Sequence, residues 1–478
     1  MKLLKPGKPH KPVKHQKATM PASHTDQLQL LRKYFNDGNT RSFAFRKKQL
    51  ESLREAIMRH EQAIYDALYK DLHKSREEVW VTELGVVVSE ISLALKKLKK
   101  WMSPQRVRTN LLNFPSSSKI IPEPLGVVLI IAPWNYPFQL LLNPMVGAIA
   151  AGNCIVVKPG EFATATDEVI GRIIREVFPP WYILCVQGDG AEVVPSLMNE
   201  FRFDHVFYTG STNVGKAIYK MAAEKLVPVT LELGGKSPCI VAKDANIEVA
   251  ARRIALSKFS NAGQMCIAPD YVLVHQSVTE ALIREFEKAI TQFFGNDPFQ
   301  SEEYGRIINQ KQFDRLSGYL FNGTVVVGGR TDRETLYISP TILLNVNMQS
   351  GVMQEEIFGP VLPVIPFAAD EEVKAVISQH ADPLAFYLFT KSKEEEDKWL
   401  GSIVFGGGCV NNTALHFTNN RLPFGGRGNS GLGRYHGRYS FDTFSHQKSI
   451  LKTPVWPDPA IKYPPFKGKL NLFKKIIK

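Results

Sequence analysis

Two α/β units, the first built on a parallel, doubly wound sheet, are what this sequence predicts. Three observations carry that expectation. From residue 125, strand and helix patterns alternate five times, the order that builds a parallel sheet with helices on both faces. The opening strand, Leu125-Gly-Val-Val-Leu-Ile-Ile-Ala132, is apolar on both faces, as a strand enclosed by helices must be. A second alternation starts at 238. The length agrees: 478 residues exceed the ~250–300 at which one core stops growing.

Ahead of the sheet, residues 41–72 set Leu50, Leu53, Ile57, Ile64 and Leu68 at helical spacing, and residues 76–101 do the same with Leu84, Val87, Val88, Ile91, Leu95 and Leu98. These read as two amphipathic helices lying on a larger body. Lys96, Lys97, Lys99 and Lys100 mark a solvated end of the second. Prolines and the polar run Ser116-Ser-Ser118 make 103–124 an arm or hairpin. The first sheet then reads strand 125–132, helix 138–151, strand 154–157, helix 165–177, strand 182–186, helix 190–198, strand 205–208, helix 212–224 and strand 229–233. The second unit reads strand 238–242, helix 246–260, strand 271–275 and helix 277–294. Less regularly, helix 309–320, strand 361–366, helix 370–379, strand 385–390, helix 393–400 and strand 403–411 follow. Residues 439–451 alternate weakly and are expected to add a strand to another sheet.

Composition narrows the class. An apolar content of 44% with 22% charged residues is that of a soluble globular chain, and no apolar run reaches the ~18 residues of a membrane span. The net charge of +13 sits at the ends. Residues 1–19 hold six lysines and no acid, without the apolar stretch of a secretory signal, and are expected to be a disordered tag or basic arm ahead of a start at Met20. The stretch from Ile461 to Lys478 holds six more lysines, so the body between is nearly neutral and nucleic acid is not the expected partner. Five scattered cysteines (Cys154, Cys185, Cys239, Cys266, Cys409) with no C-x-x-C argue against a disulfide framework or a zinc site, and for a reducing, cytoplasmic setting.

Several stretches can carry chemistry, each with a plainer alternative. Cys266, in Asn261-Ala-Gly-Gln-Met-Cys266-Ile-Ala-Pro269, lies on a Gly-containing connection that gives a nucleophilic thiolate backbone access; a small buried apolar residue is the commoner role of a lone cysteine. Asn135, in Pro133-Trp-Asn-Tyr-Pro137, sits past the end of the opening strand, where a side-chain amide can donate to an oxyanion or cap the next helix. Lys158 and Glu161 follow the second strand and can clamp ribose hydroxyls or form a solvated pair. Tyr208-Thr-Gly210-Ser211-Thr-Asn-Val-Gly215 opens a helix whose free N–H groups attract phosphate. Gly188-Asp-Gly190 reads as an ordinary turn. Glu232, in Thr230-Leu-Glu-Leu-Gly-Gly-Lys236, is a carboxylate in an apolar strand end, suited to a general base or to pairing with a basic residue. Glu356 and Phe358, in Gln354-Glu-Glu-Ile-Phe-Gly-Pro360, can hold a ribose and flank a flat ring, or simply make a turn. Leu422 to Gly433, with five glycines, is a lining loop or a flexible surface loop.

Taken together and in order, Pro133-Trp-Asn-Tyr-Pro, Leu231-Glu-Leu-Gly-Gly-Lys, Gly263-Gln-Met-Cys-Ile-Ala-Pro and Glu355-Glu-Ile-Phe-Gly-Pro resemble the aldehyde dehydrogenase superfamily from about residue 25 onward. Arg434-Tyr-His-Gly-Arg-Tyr-Ser-Phe-Asp-Thr-Phe-Ser-His446 and the basic tail resemble its class 3 branch, which acts on medium- and long-chain aliphatic and aromatic aldehydes. The resemblance implies a Rossmann-like NAD(P)-binding domain over 20–108 and 124–234 and an α/β catalytic domain over 235–432. It also implies a small β oligomerisation arm from 109–123 and 438–453, a basic amphipathic tail over 454–478, and a homodimer. Cys266 would attack the aldehyde, Asn135 and the Cys266 N–H would hold the oxyanion, and Glu232 would activate the water that hydrolyses the thioester. NAD or NADP would lie along Trp134, Lys158, Glu161, Gly210, Ser211, Gly215, Glu356 and Phe358. Met265 and Arg427 depart from the family pattern, the first at the pocket and the second by adding a charge to the glycine-rich loop. Two other readings stay open: a dehydrogenase releasing acyl-CoA, and an inactive scaffolding relative that docks on membrane. In the tail, Leu470, Leu472, Phe473, Ile476 and Ile477 among lysines can lie on an anionic membrane or across a subunit.

Overall fold

The computed structural model describes residues 24–477. The basic segment 1–19, Met20, Lys478 and the side chain of Ile476 lie outside the described residues. The first sheet has six strands in the order Gly431–Leu432, Val229–Glu232, His205–Thr209, Val127–Ile131, Cys154–Lys158, Ile183–Cys185. Five are parallel, and Gly431–Leu432 closes one edge antiparallel to Val229–Glu232. Every residue of Val127–Ile131 is buried, in keeping with its run of β-branched and apolar side chains. Its two neighbours lead off in opposite directions, to Ile183–Cys185 on one side and Val229–Glu232 on the other. That switch in strand order opens a crevice at the carboxyl ends, where open α/β sheets bind ligands.

Helix Pro137–Ala151 is buried on every side because sheet and helices enclose it. Gly147 permits the closest of those approaches: a Cβ there would sit 2.5 Å from the Ser440 side chain. The second sheet has seven strands, ordered Thr324–Val327, Thr341–Leu344, Val361–Phe367, Tyr271–His275, Pro238–Val241, Ala385–Phe389, Gly407–Val410, all parallel but the first. A third, antiparallel sheet joins Gln105–Val107, Ser117–Pro124 and Ser445–Lys452.

The doubly wound sheet and the second α/β unit match the expectation, and the differences are local. Helix His24–Asn36 was not foreseen from the sequence; it buries Leu28 and Leu31. The stretch 41–72 is two helices, Phe43–Arg59 and Glu61–Leu72, because His60 (φ −95°, ψ 9°) leaves helical geometry. The helical pattern of 76–101 widens into a π-turn at Trp80–Leu84 before helix Gly85–Met102. A Cβ at residue 85 would lie 2.6 Å from the Trp80 carbonyl, so glycine is what lets the wide turn close. The weak alternation at 439–451 begins as helix Arg438–Thr443, held by the Arg438–Asp442 pair one turn apart, and becomes strand only at Ser445. Strand 403–411 shortens to Gly407–Val410. Gln105–Val107 pairs within the arm's sheet, in keeping with an arm or hairpin over 103–124 and ahead of the 109–123 that the resemblance implies. Among the described residues no helix is long and apolar enough to cross a membrane.

Candidate active site

Helix Ile247–Phe259, capped by the Asn246 side chain, runs into three successive residues of positive φ: Asn261 (50°), Ala262 (50°) and Gly263 (74°). Left-handed non-glycine residues are strained, and such strain gathers at working sites. The turn survives because it is pinned. Gln264, fully buried, donates to the carbonyls of Asn261 (3.0 Å) and Arg306 (2.9 Å) and accepts from the Ile308 N–H (3.0 Å). The Asn261 N–H donates to the Glu78 carboxylate at 2.8 Å. Two residues on, Cys266 comes out half-buried on the wall of a cavity of about 580 Å³. Leu140, Leu256, Phe293, Leu415 and Phe417 give the cavity an apolar lining, and Met265 and Tyr136 also line it.

Asn135 reaches this loop from the first sheet. Its amide donates to the Gln264 carbonyl at 2.9 Å, and its own carbonyl accepts from the Asn261 amide at 2.8 Å. The capping alternative does not hold: helix Pro137–Ala151 has Tyr136 as N-cap without a side-chain bond, and the Glu83 carboxylate takes the free N–H groups of Phe138 (3.0 Å) and Gln139 (3.2 Å) instead.

Glu232 ends its strand with both carboxyl oxygens buried and without a hydrogen-bond partner among the described residues. Pairing with a basic residue, the plainer alternative, is therefore not what the structure shows. Burial pushes this carboxyl well above its ordinary range. The glycine-rich loop packs on it: a Cβ on Gly425 would lie 3.2 Å from Oε1. Burial also drives the Cys266 thiol up, and negative charge on Glu356 and Glu232 pushes it further. Glu356 lies against Gly234, where a Cβ would meet its Oε2 at 1.9 Å; burial raises it to about 8. Its loop is tied down by Lys236, which pairs with Asp270 and donates to the carbonyls of Val352 (2.8 Å) and Glu355 (2.9 Å), while Asp270 accepts from the Ile357 N–H at 2.9 Å.

A second group of the expected residues lies along the carboxyl ends of the first sheet. Trp134 meets Phe358 edge to face with ring centroids 5.4 Å apart, a contact between the two sheets' loops. Lys158, buried, pairs with Glu161. The Gly188-Asp-Gly190 turn sits beside that pair: a Cβ on Gly190 would lie 3.3 Å from Glu161 and 3.5 Å from Lys158. Gly210 and Gly215 make a close-packed cradle, since Cβ atoms there would strike the Tyr208 hydroxyl (2.3 Å) and Leu233 (2.6 Å). Ser211 is the N-cap of helix Thr212–Glu224, accepting from the Val214 N–H. Arg427, the added charge of the glycine-rich loop, is taken up by Asp382 at 3.2 Å.

The supporting residues Lys74, Glu78, Glu83, Lys236, Asp270 and Gln264 escaped sequence reading. Lys74 and Glu83 are nine residues apart, a spacing that marks no helical pair, and only the unusual burial of charge identifies them.

The comparisons with known proteins converge. The aldehyde dehydrogenase family model matches residues 9–450. A 4,4'-diaponeurosporen-aldehyde dehydrogenase of Staphylococcus aureus is 46% identical over 447 residues, 93% of this chain and 97% of the relative. The dimeric NADP-preferring aldehyde dehydrogenase of Canis lupus familiaris is 43% identical over 454 residues, 94% and 99% of the two chains. A structure titled as the substrate-bound state of Staphylococcus aureus AldH superposes with a TM-score of 0.93 at 45% identity, covering 95% of this chain and 99% of that one. On the ordered motifs, the fold and these matches, the chain belongs to the aldehyde dehydrogenase family.

Proposed function

We propose that this protein oxidises aldehydes to carboxylic acids with NAD or NADP, through a thioester on Cys266. The observation that carries the reading is a thiol, Cys266, on the wall of an apolar cavity, with the Asn135 amide bonded to the Gln264 carbonyl two residues before it and the Glu232 carboxyl buried without a partner among the described residues. The cradle suits a dinucleotide: two glycines whose Cβ atoms would strike neighbours, a capped helix N-terminus, and, two strands across the sheet, a buried lysine paired with a carboxylate. Gly210, Ser211 and Gly215 would hold the pyrophosphate on that N-terminus, Lys158 and Glu161 the adenosine ribose, and Glu356 the nicotinamide ribose, with Trp134 and Phe358 beside it. Bound there, the nicotinamide supplies a hydride acceptor.

The chain's own residues do the rest. Cys266 adds to the carbonyl carbon as its thiolate, having given up the thiol proton. The carbonyl oxygen becomes an oxyanion held by the Asn135 amide and the Cys266 N–H, in a cavity where few competing dipoles weaken them. After oxidation Glu232 takes the proton of the attacking water, and the acid leaves Cys266. A base at that position favours hydrolysis over release of an acyl-CoA. The apolar lining supports medium- and long-chain aliphatic or aromatic aldehydes as substrates. Cys266→Ala tests the whole: no NAD(P)H should form, even in a first turnover, and substantial retained turnover would remove the nucleophile.

The domain limits given above (20–108 with 124–234, 235–432, and the 109–123 with 438–453 arm) are part of the same reading. The arm's sheet, with Leu111 and Phe114 exposed beside it, supports a homodimer, to be checked by light scattering. Exposed Trp456, Leu470 and Ile477 among the tail lysines support peripheral contact with anionic membrane. Sedimentation with phosphatidylglycerol vesicles, with and without residues 454–478, reads that contact directly.

A further inference from the structure

Lys74 and Glu83 are both fully buried and form an ion pair at 2.6 Å. Burying two charges is expensive, and apolar side chains of the same volume are often as good or better for stability. What the pair supplies is a set of directed bonds around one short segment. Lys74 Nζ donates to the Asn135 carbonyl at 3.1 Å and lies 3.8 Å over the Tyr136 ring. The other oxygen of Glu83 accepts from the N–H groups of Phe138 and Gln139. One salt bridge thus grips the turn that carries Asn135 from both sides. The π-turn at Trp80–Leu84 carries Glu83, and such wide turns recur at functional sites.

Asn135 needs that grip. One of its two amide N–H groups is committed to the Gln264 carbonyl; the other serves the oxyanion, and an oxyanion donor works only within a few tenths of an ångström of its position. The Asn261 amide shares the Asn135 carbonyl with Lys74, so loss of Lys74 leaves that carbonyl held from the Cys266 side alone. We propose that Lys74 and Glu83 are positioning residues for the reaction, holding the Asn135 amide where the substrate oxygen develops charge. The proposal rests on the oxyanion reading of Asn135 given above.

A double-mutant cycle tests it. The first-turnover rate of NAD(P)H formation with hexanal is measured for wild type, Lys74→Met/Glu83→Gln, Asn135→Ala and the triple variant, with thermal melts alongside. Replacing both charges together avoids stranding either one. In the wild-type background the pair substitution should slow the step about ten- to a hundredfold, the loss expected for a small misplacement of a catalytic group. In the Asn135→Ala background the same substitution should cost less than about twofold, since coupled residues do not add. Equal losses in both backgrounds, or no loss in the first, would overturn the positioning role. If Asn135→Ala by itself leaves the rate unchanged, the oxyanion reading fails first and takes this proposal with it. Should the pair variant melt below the assay temperature, the all-amide pair Lys74→Gln/Glu83→Gln, which strands neither charge, carries the same cycle.

Discussion

Replacing Glu232 with Gln separates the two halves of the reaction. The wild-type carboxyl is buried, has no hydrogen-bond partner among the described residues, and is pushed well above its ordinary range by desolvation alone. Burial favours the neutral acid over the carboxylate, so Gln puts a neutral, near-isosteric group where the fold already disfavours charge. The melting temperature should therefore shift little, by the equivalent of about 1 kcal/mol or less. Catalysis should change far more. A general base contributes about 10²–10⁴-fold, so thioester hydrolysis should fall by that factor while formation of the thioester continues. Mixing the variant with aldehyde and NAD(P) should give one equivalent of NAD(P)H per active site and then a stall. Intact mass should show the acyl group retained on the protein. The sign of the pH dependence follows from burial. The base form is the carboxylate, its raised pKa moves its onset to higher pH, and wild-type hydrolysis should accelerate from neutral to alkaline pH while the variant's stays flat. Fast steady turnover with no adduct, or a collapse of stability, would refute the reasoning.

Four further outcomes follow from particular contacts. Asn135→Ala should slow the first turnover by ~10²–10³, read by stopped-flow NAD(P)H formation. Glu161→Gln releases buried Lys158 from its ion pair; a 2′-phosphate can then be met by an uncompensated ammonium, so kcat/KM for NADP relative to NAD should rise about tenfold, and an unchanged ratio would place the pair elsewhere. Gly263→Ala puts a Cβ 2.2 Å from the Gly359 carbonyl at φ +74°, so both the melting temperature and the hydride burst should fall. Glu90, accepting from the Gly437 N–H at 2.6 Å, is raised from the ordinary 4.5 to about 7, chiefly by burial. Its neutral form is favoured on folding, so its contribution is complete below pH 4.5 and lost as pH rises through 7, about 3 kcal/mol in all. Melts of wild type and Glu90→Gln should diverge between pH 5 and pH 8, and parallel curves would exclude the effect.

Much of this architecture can be read along the chain. Strands such as Val127–Ile131 and Cys154–Lys158 announce themselves because a strand covered on both faces must be apolar throughout, and the strand–helix alternation then leaves few topologies open. The residues proposed for the site also stand where local pattern can find them: Asn135 and Lys158 at strand ends, Glu232 alone in an apolar strand, Cys266 on a Gly-containing connection. Elsewhere local pattern fails. The break at His60, the π-turn and helix His24–Asn36 reflect which faces happen to meet the body, and periodicity carries no record of that.

Sequence alone, then, determined the two α/β units and singled out the residues proposed to react, since both follow from short-range rules of burial and backbone pairing. Only the tertiary structure decided how those residues are held. The Asn135–Gln264 bond spans 129 positions, Glu78 reaches Asn261 across 183, and the pair that grips the Asn135 turn comes from a connection and a π-turn ahead of the sheet. Contacts of that separation are set by how the chain winds through the sheets, and each partner has its reason for being polar only once the other is in place.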